Sequence, residues 1–293
     1  MVRLKDIAQR AGVSVMTVSK ALRNASDIAA GTKLRIQALA REMGYVPNSL
    51  AQGLRTRSTR LVGLVIPAVT NPIFARLILA VEDQVRGMGY DLLLSHTLNE
   101  VDREEQVIRQ LIARRVEGLL VFPVSRLGTR APVYEELASR QIPTVILGPS
   151  AAFSRQFVSV QTDEVQASGD VTRHLLSLGH RRIAFLGGPP TSLWAQERYE
   201  GYQRALREHG MTVDDRLIFT AGSTIEEGEK AALQMLQEGA DATGVQAVND
   251  LIAIGAGDCL LSRGLRLPEE LSLAGFGNVL TSAYFRVPLT TVR

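Results

Sequence analysis

From residue 61 onward the chain repeats one pattern: a short run of Val, Ile, Leu and Phe, then a longer stretch with apolar residues at helical spacing. The runs "LVGLVI", "YDLLLS", "GLLVF" and "PTVIL" alternate with helical stretches at 73–88, 102–115 and 131–140. After "FVSVQTD" a second series begins, with helices at about 164–178, 198–209, 226–238 and 250–263 set between "RIAFLG", "RLIFT", "GVQAVN" and "LSLAGF". Continuous apolar runs mark strands covered on both faces, which points to parallel, doubly wound sheets with helices on either side. Two such series predict two similar α/β lobes, at 61–162 and 163–293, with a cleft between them. Ligands are expected there, at the carboxyl ends of the strands.

The first 60 residues follow a different rule. They hold 11 Lys+Arg against 3 Asp+Glu, or +8, whereas the remaining 233 hold 22 against 27, or −5. A small basic head on an acidic body points to a polyanion partner, because clustered Lys and Arg release counterions from phosphate backbones. In "LKDIAQRAGVSVMTVSKALRN", Leu4, Ile7, Ala8 and Ala11 share one helical face, and Gly12 permits a left-handed turn. Ser14 is a suitable N-cap for a second helix, from which Val18 and Leu22 face back onto the first. A third helix in "TKLRIQALAREMGY" presents Ile36, Leu39, Ala40 and Met43 and stops at Gly44. Residues 1–46 therefore predict a small all-α helix-turn-helix domain whose second helix fits the DNA major groove. By exclusion, Val15, Met16, Thr17, Ser19, Lys20 and Arg23 are the base-edge and phosphate candidates.

Other functions find little support. One cysteine, Cys259, excludes a disulfide framework and a cysteine-based metal site, and fits a reducing cytoplasm. No apolar h-region opens the chain and no run reaches membrane-spanning length, so neither secretion nor insertion is expected. No G-x-G-x-x-G follows a strand, and neither a Walker-type loop nor G-x-S-x-G occurs. His96, His174, His180 and His209 are scattered, and His180 and His209 sit beside glycines at helix ends, where a positive ring would cap the helix. The residues suggest no enzyme, cofactor or metal.

Cleft candidates follow from position after the strands. Asn71, Ile73 and Phe74 in "TNPIFARL" fall on the first strand-to-helix loop, Ser125 follows the third strand, and Asp163 lies at the first lobe crossing. Ser192, Trp194 and Arg198 occupy "GGPPTSLWAQERYEGY". Trp194 is suited either to stacking on a sugar face or to ordinary core packing. Arg198 is suited either to gripping paired hydroxyls or a carboxylate with its rigid fork or to a surface ion pair with Glu197 or Glu200.

The segments "DIAQRAGVSVMTVSKAL" from Asp6 and "GYVPNSLAQGLRT" from Gly44, with the layout that follows them, resemble the LacI/GalR family of bacterial transcription regulators. The resemblance implies a homodimer on double-stranded operator DNA, a periplasmic-binding-protein-like body, and a small-molecule effector of the sugar class. It makes residues 47–60 a hinge, with Leu54 as a wedge between base pairs, Leu50 and Ala51 packing the paired hinges, and Arg55 near the minor groove. It makes Arg198, within "RYEGY", the effector-binding arginine.

Four features depart from the family pattern. Lys20 stands where arginine is usual, and Ala29 where a Ser or Thr cap opens the third helix. "GFGNV" places Gly277 where an aspartate grips the effector, which leaves Asn278 or another group as its substitute, a different ligand, or no ligand. The chain stops at "VPLTTVR", leaving the last βαβ unit open, so the resemblance implies several dozen further residues. The rival reading is a small-molecule carrier without a regulatory role, against which the basic head argues.

Overall fold

The computed structural model describes residues 2–46 and 58–293. The chain divides into two compact units, Met1–Thr59 and Arg60–Arg293.

In the first unit, α1 (Leu4–Ala11), α2 (Val15–Leu22) and α3 (Ala30–Glu42) pack around Ile7, Ala8, Val18, Ala21, Ile36 and Ala40, all buried. Full burial of one Ile or Val side chain is worth roughly 1.5–3 kcal/mol, and a core this small depends on each of them. Ser14 caps α2 by accepting a hydrogen bond from the Thr17 amide at 3.1 Å. Ala29 occupies the N-cap of α3 and provides no side-chain cap. Polar ties cross the bundle instead: Arg35 donates to the Ala11 carbonyl at 3.1 Å and Gln37 to the Ala21 carbonyl at 3.3 Å.

The second unit contains two five-stranded, all-parallel sheets. The first is built from β1 (Leu61–Ile66), α4 (Pro72–Gly87), β2 (Asp91–His96), α5 (Val101–Ala113), β3 (Gly118–Val121), α6 (Pro132–Ser139), β4 (Thr144–Leu147) and β5 (Val158–Val160), in strand order β2-β1-β3-β4-β5. The second contains α7 (Glu164–Ser177), β6 (Ile183–Gly187), α8 (Leu193–Glu208), β7 (Ile218–Thr220), α9 (Ile225–Gln237), β8 (Gly244–Ala247), α10 (Asp250–Ser262), β9 (Ser272–Phe276) and β10 (Thr290–Val292). Its order is β10-β9-β8-β6-β7. The central strands are largely buried, as the apolar runs require: β1 from Gly63 to Ile66 and β6 from Ile183 to Leu186. Among the described residues no helix is long and apolar enough to cross a membrane.

Three sequence expectations change. Helix α8 begins at Leu193 rather than 198, so Trp194 lies in its first turn and Arg198 in its second. β10 reaches β9 through a 3-10 turn at Leu280–Ala283 and pairs in parallel, Thr290 with Ala274, so the sheet gains its fifth strand without an intervening α-helix. His180 does not act as a cationic helix cap. Its Nδ1 lies 3.0 Å from Thr243 Oγ1 and its Nε2 2.9 Å from Ser272 Oγ, and burial pushes its pKa down, favouring the neutral ring.

Candidate functional site

Both sheets reverse their strand order at one place. In the first, β1 has β2 on one side and β3 on the other; in the second, β6 lies between β7 and β8. The loops after β1 and β3, and after β6 and β8, must diverge there and leave a crevice at the strand carboxyl ends. Asn71 follows β1 and Ser125 follows β3, whereas Ser192, Trp194 and Arg198 follow β6 and Asn249 and Asp250 follow β8.

Arg198 is the best-anchored of these residues. Its Nε donates to Glu164 Oε2 at 2.6 Å and its Nη1 to the Val248 carbonyl at 2.6 Å. Its Cζ lies 3.6 Å from the Phe276 ring centroid and 5.0 Å from that of Trp194. Burial pulls its pKa down, while Glu164, Asp250 and Glu197 oppose that shift, and guanidinium stays charged in any case. Nη2 has no hydrogen-bond partner among the described residues. The ion pair is therefore with Glu164, not with Glu197 or Glu200, and it is largely buried: the side chains are 14% and 10% exposed.

Gly201 explains how Glu164 and Arg198 meet. A Cβ at 201 would stand 2.2 Å from the Val165 carbonyl oxygen and 2.9 Å from the Gly169 nitrogen, so only glycine lets α8 lie this close to α7. Ser168 Oγ fixes the crossing by donating to the Arg198 carbonyl at 2.6 Å. The glycine of "RYEGY" is thus a close-approach glycine that aligns the arginine with the first residue of α7.

Two side chains, Ser125 and Arg76, reach across the crevice from the first sheet's half to the second's. Ser125 Oγ donates to Ser192 Oγ at 3.3 Å, and Arg76 Nη1 donates to the Asn278 carbonyl at 2.7 Å and, more weakly, to that of Gly277 at 3.4 Å. Gly277 has φ +123 and Asn278 φ 46. Their loop is held by Asp250, whose Oδ2 accepts from the Val279 amide at 2.8 Å and whose Oδ1 accepts from Thr291 Oγ1 at 2.6 Å. Burial raises the Asp250 pKa, and those donors restrain the rise.

The remaining cleft candidates have mixed placements. Asn71 and Asp163 cap α4 and α7 by accepting from the Ile73 and Gln166 amides. Ile73 is at the surface, whereas Phe74 is buried against Leu64 and Ile66 with its ring edge-on to Phe122, centroids 5.1 Å apart. Asn278 contributes its backbone, by the bonds to Arg76 and from its amide to Thr291 Oγ1 at 3.1 Å. Position after a strand singled out Arg198 and Trp194 but not Glu164, Arg76, Gly201 or Phe276, whose roles arise from helices and loops meeting across long sequence separations.

The loop carrying Ser125 rests on a second buried ion pair. Glu104, fully buried, accepts from the Val124 amide at 2.6 Å and from the Tyr134 hydroxyl at 3.0 Å, and pairs with Arg126. Arg126, 9% exposed, lies over the Phe153 ring at 4.8 Å, and its Nε has no hydrogen-bond partner among the described residues.

In the head, Val15 and Met16 project into solvent from the first turn of α2, Met16 being 68% exposed. Thr17 Oγ1 is 2.9 Å from Ser14 Oγ. Ser19 is half-buried. Lys20 pairs with Asp27, and Arg23 Nε donates to the Ser19 carbonyl at 3.0 Å. Leu50, Ala51, Leu54 and Arg55 lie outside the described residues. Among the described residues no group of three or more His, Cys, Asp or Glu is placed to hold a metal.

Comparison with known proteins agrees over nearly the whole chain. Residues 3–48 match the profile of bacterial regulatory proteins of the lacI family, and residues 59–292 that of the periplasmic binding proteins and sugar-binding domain of the LacI family. The HTH-type transcriptional repressor CytR of Escherichia coli is 31% identical over 289 residues, covering 99% of this chain and 84% of the relative. The regulator GalR of Escherichia coli is 34% identical, covering 100% and 84%. A crystal structure of the lac repressor dimer bound to operator and an anti-inducer superposes with TM-score 0.87 at 27% identity, covering 99% and 86%.

Proposed function

The chain belongs to the LacI family of bacterial regulatory proteins, and on that premise we propose that it is a DNA-binding transcriptional repressor whose operator affinity is set by a small molecule in the cleft. The observation that carries this reading is the buried, aromatic-flanked Arg198 at the point where both sheets change direction, beside the Ser125–Ser192 and Arg76–Asn278 bonds. A ligand there touches both lobes, so it favours one lobe arrangement over another; coupling of this kind is typically about 1–3 kcal/mol.

We assign residues 1–46 to DNA binding, 47–60 to a hinge, and 61–162 and 163–293 to the two lobes of the effector domain. In the head, Val15 and Met16 offer apolar contact to thymine methyls, and Lys20 exchanges its exposed partner Asp27 for a phosphate. Thr17, Ser19 and Arg23 complete the DNA-facing set, with Leu54 and Arg55 in the hinge. In the cleft, Arg198 and Trp194 contact the effector, with Ser125 and Ser192 on the surrounding loops and Asn71, Ile73 and Asp163 at the starts of α4 and α7. Phe74 supports the loop from the core, and Asn278 acts through its backbone. The protein works in the cytoplasm, as a homodimer on a roughly palindromic site, and catalyses no reaction.

The test selects bound duplexes from a random pool at fixed salt and measures affinity for the selected site with pentoses, hexoses and nucleosides present. Specific binding relieved or strengthened by one ligand class is the expected result. Sequence-independent binding that no ligand alters refutes it. Trp194 provides a second signal, because it is the only tryptophan and lies beside Arg198.

A further inference from the structure

The charges around Arg198 are unequal. Glu164 holds it directly, Asp250 and Glu197 add to the field, and Asp163 heads the same helix as Glu164. Asp250 holds the Val279 amide and Thr291 Oγ1, and Asp163 caps its helix through the Gln166 amide. Glu164 differs in position, being the acid that touches the guanidinium, and its other oxygen accepts from Thr162 Oγ1. The neighbourhood already carries more negative charge than it neutralises: burial, together with Glu164, Glu200 and Asp163, pushes the Glu197 carboxyl above its usual value despite Arg198. An anion taking the open Nη2 beside Phe276 and Trp194 would meet the Glu164 carboxylate, only 10% exposed, on the same guanidinium, and would either suffer that repulsion or displace Glu164 and leave it buried without its partner. A neutral ligand has no such conflict. It can accept from Nη2 of Arg198 and place its own hydroxyl or amino hydrogens against Glu164.

We propose that Glu164 is the selectivity residue of the cleft: it supplies the carboxylate that position 277 lacks, occupies the charge of Arg198, and restricts the site to uncharged ligands bearing donor hydrogens, excluding phosphates and carboxylates. The inference rests on the effector-cleft reading above but is tested without effector or DNA.

The probe is inorganic phosphate at constant ionic strength, and the signal is Trp194 emission from the full chain. The wild type gives no saturable response through the low millimolar range. Glu164→Gln frees Arg198 and gains a saturable response at least about tenfold tighter than any the wild type shows. Glu164→Asp, which keeps the charge on a shorter stem, gives a smaller gain and provides the answer should the glutamine variant not fold. Adding Arg198→Met to Glu164→Gln abolishes the gain, which separates the cleft from phosphate bound at the basic head. A wild type that answers phosphate as well as Glu164→Gln does, folded Glu164 variants that stay silent, or a gain that survives loss of Arg198 would each overturn the proposal. If the phosphate result holds but no neutral compound changes operator affinity, the effector reading fails and the anion exclusion stands.

Discussion

Glu104 with Arg126 in the first lobe, and Glu164 with Arg198 in the second, are both buried ion pairs with the guanidinium over aromatic rings. They differ in which partner is enclosed. Around Glu104 the protein uses up the carboxylate, with the Val124 amide, the Tyr134 hydroxyl and Arg126 all converging on it, and nothing is left for a ligand. Around Arg198 the protein engages Nε and Nη1 of the guanidinium and, among the described residues, leaves Nη2 open. The same two residue types therefore form a structural peg in one lobe, which shapes the Ser125 loop, and in the other a pair with a donor to spare, as the binding role proposed above requires. What separates them is the hydrogen-bond inventory around the pair, since burial is similar.

The comparison can be broken by making one change at both places. Glu104→Gln should be the most damaging, because it leaves Arg126 charged, buried and short of partners; a loss of about 3–5 kcal/mol in urea unfolding is expected. Tyr134→Phe removes one donor to a charged acceptor in the same network and should cost roughly 1.5–3 kcal/mol by the same measurement. Glu164→Gln should cost only about 1 kcal/mol, since glutamine still accepts from Arg198 while Asp250 and Glu197 keep the charge compensated. If the two glutamine variants lose equal stability, the distinction between peg and binding group is wrong.

A finer test uses pH. The Glu197 carboxyl is raised in the folded protein, so the folded state binds its proton more tightly than the unfolded chain. Its stabilising contribution is complete below the unfolded carboxylate value and is lost as pH rises through the raised one. Glu197→Gln should therefore raise the unfolding midpoint slightly near pH 7 and lose that advantage near pH 4. A difference that does not change with pH would place the effect elsewhere.

Neither pair could be paired from the sequence, although one left a trace. In α5, Val101, Ile108 and Leu111 mark an apolar stripe, and Glu104 sits on it at i+3, a charged residue where the period demands a buried one. That signal announces a buried acid without naming its arginine, which lies beyond the next strand. The alternation of strands and helices was legible because each element carries its own period, and Arg198 because of its place after β6. Glu164 was not, since its role depends on α7 and α8 touching through Gly201, 37 positions away by numbering. The start of α8 was missed because Ser192 provides no side-chain cap and Pro189 and Pro190 precede it, so the first turn has the composition of a loop. Ala29, by contrast, was legible as a missing cap. Ala29→Ser should stabilise the head by about 0.5–2 kcal/mol, the most local effect, read as a higher melting midpoint of the first unit.

Gly277 sets a backbone limit on what its loop can carry. At φ +123 the backbone is in a region that L side chains rarely adopt, although a Cβ there would meet nothing closer than Asp250 Oδ2 at 3.8 Å. Room for a carboxylate is present and the conformation for it is not, and forcing it costs on the order of 1–3 kcal/mol. The same loop has its carbonyls claimed by Arg76 and its amides tied to Asp250 and Thr291. A carboxylate placed at 277 would work against its own backbone and against the hydrogen bonds that hold this loop. Residue 164 carries no such backbone limit, because it opens a regular helix in which one side chain can replace another without moving the chain.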